Sequence, residues 1–418
     1  MTLDDDIDIW MTPGHPDRAD LIADPYPLFD RIRAASPVYR TRSGTWILTD
    51  FDDVVEVLRD RRWSRDSRHA RFANLRNVEA DPADPRSPDA GTVQWIFATW
   101  MLYADPPEHT RLRRLVARAF SPHAVAGRSE RIHGAIGRLI AEMRGRDRFD
   151  LHQDFSTVLT GIVMSEIIGM PLDRFDEFAA WSAALIRLQE PDADSDATLE
   201  AQRLLGDCVG FFEELIAERR RTPTDDVVSL LLETEREERV SHDEIIGMCL
   251  MLHVAGHETT ANRITNSMYH LLQDPAQYDL VRAEPQRTEN TMEETLRLGS
   301  TGPLPRFATE DITVAGTVIP AGDIVIPSQG AANRDPKRFI DPHRFDITRA
   351  NAADHIAFGA GIHFCLGSHL ARLEAIEALR SLVLSDSRLE LTGEQIRWRD
   401  SFVVRGLESL PVTWSDAA

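Results

Sequence analysis

The 418-residue chain contains three cysteines, Cys208, Cys249 and Cys365, and no Cys-x-x-Cys pair. That count cannot supply a disulfide framework, and the spacing excludes a paired redox dithiol. A long apolar run near the start is also missing. Asp4, Asp5, Asp6 and Asp8 are followed by Pro13, Pro16, Pro25 and Pro27. A spanning helix needs roughly twenty apolar residues and a signal peptide needs an apolar core, so a cytoplasmic chain with no membrane segment is expected. Basic residues are scarce, with 47 Lys and Arg against 68 Asp and Glu and a formal net charge of −21. Such a balance disfavours nucleic acid or an anionic membrane surface as the main partner.

What is present is an ordinary globular composition, 42% hydrophobic and 28% charged, with enough apolar residues for a large core. The length allows several domains, but no repeat or linker divides the chain, and one unit over 1–418 is expected. Val38–Arg40 and Thr45–Thr49 flank Ser43-Gly44 as a hairpin, and Asp50 or Asp52 can cap a helix running to Arg59. Residues 79–91, rich in Pro, Asp and Ser, read as a surface loop. Helical periodicity dominates from Pro106 to Leu298. Within it, Ser241-His242-Asp243-Glu244 is a capping box opening an apolar run to Leu272, a helix of about 30 residues and roughly 45 Å. The period shifts towards two from Asp311. A helix is expected from about Leu366 to Leu384, then strands near Leu389, Phe402–Val404 and Leu410–Trp414. The class is mainly α with minor β-sheets.

The most informative run is Phe358-Gly359-Ala360-Gly361-Ile362-His363-Phe364-Cys365-Leu366-Gly367. A thiolate that must approach a flat metal macrocycle needs a tight backbone turn beneath it, which Gly359 and Gly361 permit. A helix start after the cysteine aims N–H groups at the sulfur and lowers its pKa. Phe358 can shield the sulfur from water. The rival reading is a zinc site from His363, Cys365 and His369, which lacks a fourth ligand at zinc spacing. Cys208 and Cys249 lie in apolar helical stretches and read as small buried hydrophobes.

This run resembles the cysteine-ligand loop of the cytochrome P450 family, and other stretches resemble that family's motifs in the same order. Glu294-Thr-Leu-Arg297 is similar to its Glu-x-x-Arg pair, and Pro305-Arg306 follows. Ala332-Asn333-Arg334-Asp335-Pro336, with Phe339 and Phe345, is similar to its meander. Ala255-Gly256-His257-Glu258-Thr259-Thr260 is similar to its oxygen-binding motif. By residue chemistry, an acid and a β-branched hydroxyl in mid-helix oppose helix propensity, and Thr259 back-bonding to a carbonyl could open the helix locally. A plain buried helix with a solvated Glu258 remains open on those residues alone. Asp105-Pro106-Pro107-Glu108-His109, continuing to Arg113, resembles the family's C helix, with Asp105 as its expected cap.

The resemblance implies a helical prism with a minor sheet lobe and haem b between the long helix and the Cys365 loop. Cys365 would be the metal ligand. His109, Arg113, Ala255, Arg306, Phe358, His363 and Gly367 would join it in holding the cofactor, with the His and Arg residues on the propionates. Glu258 and Thr259 would be catalytic, relaying protons. The implied reaction inserts one oxygen atom of O2 into a small organic substrate, in secondary metabolism, with electrons from a separate ferredoxin-type donor. Oxidative coupling or cyclisation without hydroxylation is the alternative, and a haem-binding sensor without turnover a weaker one. With Arg113 turned inward to a propionate, a basic face of Arg111, Arg114, Arg118, His369 and Arg372 would receive the donor. His253 reads as a hydrogen-bonded structural residue. Trp95, Phe97, Trp100 and Tyr103 read as core or pocket lid.

Overall fold

A computed structural model describes residues 2–70, 93–190, 195–238, 240–299, 302 and 304–415; the expected loop at 79–91 lies outside them. The architecture is a helical body with three small sheets, as expected. β1 (Val38–Arg40) and β2 (Trp46–Leu48) form the hairpin, with Tyr39 opposite Ile47. β2 then pairs in parallel with β8 (Ile324–Pro327), β8 antiparallel with β5 (Arg306–Ala308), and β5 with β3 (Trp63–Ser64). The register sets Trp63 opposite Ala308 and Ser64 opposite Phe307. A second sheet centres β10 (Pro411–Ser415) between β4 (Phe149–Asp150) and β9 (Arg388–Leu391). β6 (Ile312–Val314) and β7 (Thr317–Ile319) make a two-stranded ribbon. Phe402–Val404 is not a strand but irregular backbone. Its amides at Phe402 and Val403 turn to the Glu190 carboxylate instead of to a neighbouring strand.

Two expected caps are replaced. The helix α1 (Phe51–Arg59) has no side-chain cap from Asp50. Asp50 accepts from Lys337 at 2.7 Å, while Asp335, from far along the chain, accepts the Phe51 N–H at 2.9 Å. Asp105 likewise does not cap α2 (Glu108–Ala117), whose N-cap is Pro107. The two prolines delay the helix start, and the Asp105 carboxylate accepts from the Ser64 hydroxyl and the Arg65 amide. It thereby ties β3 to the entrance of α2.

Four further helices carry the interior: α3 (Thr157–Ile168), α4 (Phe175–Arg187), α5 (His242–Gln273) and α6 (Arg287–Leu298). α5 spans 32 residues, and its capping box forms as the sequence predicts, with Ser241 Oγ accepting from Glu244 N at 3.1 Å. It is buried around most of its circumference, as a helix through the centre of a large core must be. Near the end of α6, Glu294 and Arg297 form a two-point ion pair at 2.7 and 2.8 Å, with both side chains 0% exposed. Arg349 adds to the same carboxylate, and Arg297 also donates to the carbonyls of Asn333 and Pro342. This network joins α6 to the 333–349 segment that underlies the Cys365 loop.

Candidate active site

The Cys365 loop turns through Gly359 and Gly361, at φ +77° and +70°. At Gly361 a Cβ would lie 2.5 Å from the Leu58 carbonyl oxygen, so glycine is required both for conformation and for space. Cys365 donates its N–H to the Phe358 carbonyl at 2.8 Å, which closes the turn. The helix α7 (Ser368–Val383) begins two residues later than expected, preceded by Gly367. Burial pushes the Cys365 thiol up, while the Gly367 amide, Arg113 and Arg372 pull it down. The net direction is up, so a cationic metal centre is the partner that would hold the sulfur as thiolate. Cys208 and Cys249 are both 0% exposed, and burial pushes their thiols up as well.

Above the loop lies a cavity of about 300 Å³. Cys365, Phe358, Gly367, His363, His109, Arg113, Arg306, Ala255 and Thr259 all line it. Glu258 does not. One residue of helix rotation, about 100°, turns it off the cavity wall, and it is buried and paired with Arg399 at 2.7 Å. Thr259 donates its hydroxyl to the Ala255 carbonyl at 2.6 Å, the expected back-bond, yet α5 continues through it without opening. One turn satisfied by a side chain does not by itself break a helix packed around most of its circumference.

At one corner of the cavity the polar groups are basic and unfinished. His109 Nδ1 and His363 Nε2 are buried without hydrogen-bond partners, and the two rings lie 4.4 Å apart. Arg306 is 4% exposed, and among the described residues its side chain makes one hydrogen bond, at 3.3 Å to the Pro305 carbonyl. Burial and the neighbouring Arg65 pull its guanidinium well below the usual arginine range. Arg65 escaped the sequence reading. It is 1% exposed, lines the cavity, donates to Leu102 and Pro305 carbonyls, and keeps Nη2 without a partner. No local pattern marks it; only the pairing of β3 with β5 brings it beside Arg306. Among the described residues no Asp or Glu lines the cavity. Buried cations without counter-charge are costly, so this corner fits a bound group carrying carboxylates, flat enough to share a cavity with Cys365. Haem b, with two propionates, meets that description. A zinc site does not: His369 is exposed, and among the described residues no three metal-binding side chains cluster.

Other expectations resolve individually. His253 is buried, hydrogen-bonded to the Phe178 carbonyl at 2.9 Å, and burial pulls its pKa down to about 4. Of the four aromatic residues before α2, Trp100 lines the cavity; Phe97 packs against it, Tyr103 donates to Gln189, and Trp95 to Asp243. The basic face is largely neutralised. Arg111 pairs with Glu244, Arg118 with Glu233, and Arg372 with Glu293 while lying over the Phe358 ring.

Comparison with known proteins agrees with this geometry. The family profile described as "Cytochrome P450" matches residues 81–403. The chain belongs to the cytochrome P450 family. It is 39% identical over 387 residues to cytochrome P450 107B1 of Saccharopolyspora erythraea, covering 90% of this chain and 92% of the relative. It is 37% identical over 409 residues to the cytochrome P450 monooxygenase PikC of Streptomyces venezuelae, covering 94% and 92%. Among solved structures, myxobacterial CYP267B1 in complex with myristic acid superimposes with a TM-score of 0.86 at 35% identity, covering 98% of this chain and 99% of that one. The chain is therefore a haem-thiolate monooxygenase of the mainly α P450 fold, an oxidoreductase that works with O2 and a redox partner. Among its described residues no helix is long and apolar enough to cross a membrane.

Proposed function

We propose that this P450, acting as one haem domain over 1–418, inserts one oxygen atom of O2 into an apolar small molecule. The observation that carries the reading is a single cavity in which Cys365, Thr259 and a carboxylate-free basic corner meet beneath apolar walls. Cys365 would ligate the haem iron, and Arg65, His109, Arg113, Arg306 and His363 would hold the propionates. Bound haem supplies the oxygen-activating redox chemistry. The chain supplies the rest. Met251, Val254, Leu304 and Val403 exclude water and orient the substrate. The Thr259 hydroxyl stands on the cavity wall with its proton donated to the Ala255 carbonyl, which leaves its oxygen lone pairs to accept a hydrogen bond from a group in the cavity. Glu258, held ionised against Arg399, would act behind it as a positioning and proton-exchanging group that does not touch substrate.

Electrons would come from a ferredoxin-type donor docking beside the Cys365 loop. Arg114, His369 and Phe364 are exposed there, and Arg113 bonds the Phe364 carbonyl at 2.7 Å, fixing α2 to the loop. Turnover with isotopically labelled O2 tests the reaction: product heavier by one labelled oxygen supports insertion, and unlabelled coupled or cyclised product overturns it. Arg114→Glu should slow reduction by ferredoxin at low ionic strength without changing substrate binding, since exposed charges act mainly on association rate.

A further inference from the structure

Arg263 stands one helical turn beyond Thr259 on α5 and lines the same cavity. It is 5% exposed, its Nη1 is buried without a hydrogen-bond partner, and among the described residues no carboxylate pairs with it. The adjacent arginines have backbone partners, although Arg334 Nε is also left without one. Arg334 donates to the Leu298 carbonyl at 2.9 Å, and Arg405 to the carbonyls of Ile22 and Ala23 at 3.1 and 2.6 Å. Arg263 differs in lining the cavity, which Arg334 and Arg405 do not. A Cβ at Gly299 would lie 3.1 Å from its Nη1, so the missing side chain leaves the guanidinium room. At Gly302 a Cβ would lie 1.9 Å from the Phe402 carbonyl oxygen, so the backbone itself closes in and brings Val403 and Val404 to the cavity wall.

This cation is separate from the basic corner. The charges that act on Arg263 are those of Tyr26 and Arg405, whereas those on His363 are Arg306, Arg65, His109 and Arg113. Burial pulls its pKa down to about 10, which leaves it charged at neutral pH. The surrounding wall offers little else that is polar. Gln189 accepts from Tyr103 at 2.7 Å and donates to the Leu185 carbonyl at 2.9 Å. Thr259 is bonded to Ala255 and Gln329 to the Ile356 carbonyl. A cavity with apolar sides and, away from the basic corner, a guanidinium with no counter-charge among the described residues suits an amphiphile entering anion first.

Resting on the monooxygenase reading above, we propose that Arg263 anchors a carboxylate of the substrate, so that the molecule oxidised is an apolar carboxylic acid. The competing role is a purely structural cation at the C-terminal end of α6, whose dipole is negative there.

The haem-loaded enzyme is titrated with dodecanoate, dodecanamide, adamantane-1-carboxylate and adamantane-1-carboxamide, reading the Soret shift. The acids should bind roughly 10- to 100-fold more tightly than their amides, the span of a charge-assisted bond. Arg263→Gln should abolish that preference by weakening the acids alone, and Arg263→Lys should keep part of it, having charge without the planar fork. Equal affinity of acid and amide in the parent, binding of neither, or a preference surviving in Arg263→Gln overturns the anchor. The parent comparison decides the matter even where Arg263→Gln does not fold. With a thiolate-type carbon monoxide spectrum and O2 consumption intact, such a result removes the anchor and leaves the monooxygenase reading standing. Without that spectrum, both fall.

Discussion

Arg297 and Arg306 lie nine residues apart in sequence, both are buried, and they are opposite in kind. Arg297 bonds both oxygens of Glu294 and the carbonyls of Asn333, Pro342 and Arg344. Arg306 has a single long bond to the carbonyl next to it. The first is completed by its own chain; the second has no counter-charge among the described residues. Burying a charge is tolerated only with partners, so a buried cation left without a counter-charge marks a ligand site. A buried cation fully met by the chain marks the scaffold.

The largest effect should follow from breaking the completed site. Glu294→Gln leaves Arg297 and Arg349 buried without their shared counter-charge. Removing one partner of a buried pair costs about 3–5 kcal/mol, a large part of a typical folding margin. Soluble yield and Tm should collapse in the haem-free and haem-loaded forms alike. A variant melting with the parent would show that the pair contributes nothing to the fold. Next in size is the ligand itself. Cys365→Ser should lose the absorption at about 450 nm of the reduced carbon monoxide complex, a thiolate signature, while Cys208→Ala and Cys249→Ala keep it. Retention of the band in Cys365→Ser would remove the assignment.

Arg306→Gln sharpens the comparison because its sign should depend on the ligand. In the haem-free chain it deletes a cation without a counter-charge, so Tm should hold or rise. In the loaded protein it removes a propionate partner, so haem affinity should fall, by roughly tenfold on the scale of outer-shell effects. A fall in Tm for both forms would make Arg306 a scaffold residue like Arg297.

How much of this was legible in sequence follows the same division. The long helix, its capping box, the Cys365 turn and the Glu294–Arg297 pair are local patterns, and each forms where the spacing puts it. The caps at Asp50 and Asp105 failed because longer-range partners, Lys337 and Ser64, outcompete the nearby amides. Arg65 and Arg263 were missed because nothing in their own neighbourhoods distinguishes them. Their meaning appears once strand pairing and helix packing have removed water and left one nitrogen of each guanidinium without a partner. Glu258 was correctly picked out as unusual, but its place in the motif did not show that it turns off the cavity wall that Thr259 lines.

The smallest effect concerns Glu258, off the cavity wall. Burial pushes the Glu258 carboxyl up, but the Arg399 charge, His257, the hydrogen bond from Arg399 and His152 together outweigh it, and its pKa lies below the usual value. A carboxylate depressed in the folded state contributes stability above its unfolded pKa, and that contribution is lost as pH falls through the folded pKa. Arg399→Leu removes the largest of the downward influences and leaves burial, which favours the neutral acid. The folded pKa should then rise above the unfolded one, and the variant should lose stability as pH climbs through that range. The gap in Tm between parent and Arg399→Leu should therefore be widest near neutral pH and close only as pH falls through the parent's depressed folded pKa, below which both carry a protonated Glu258. Because Arg399 is a quarter exposed, solvent screening keeps this gap well below that of Glu294→Gln. Glu258→Gln, which has no proton to exchange, should show no such pH-dependent gap relative to its own double variant with Arg399→Leu. If parent and Arg399→Leu instead run parallel across the pH series, Arg399 does not set the ionisation of Glu258. The carboxylate would then need another source of charge control, with His257 and His152, both close enough to act on it, as the groups to substitute next.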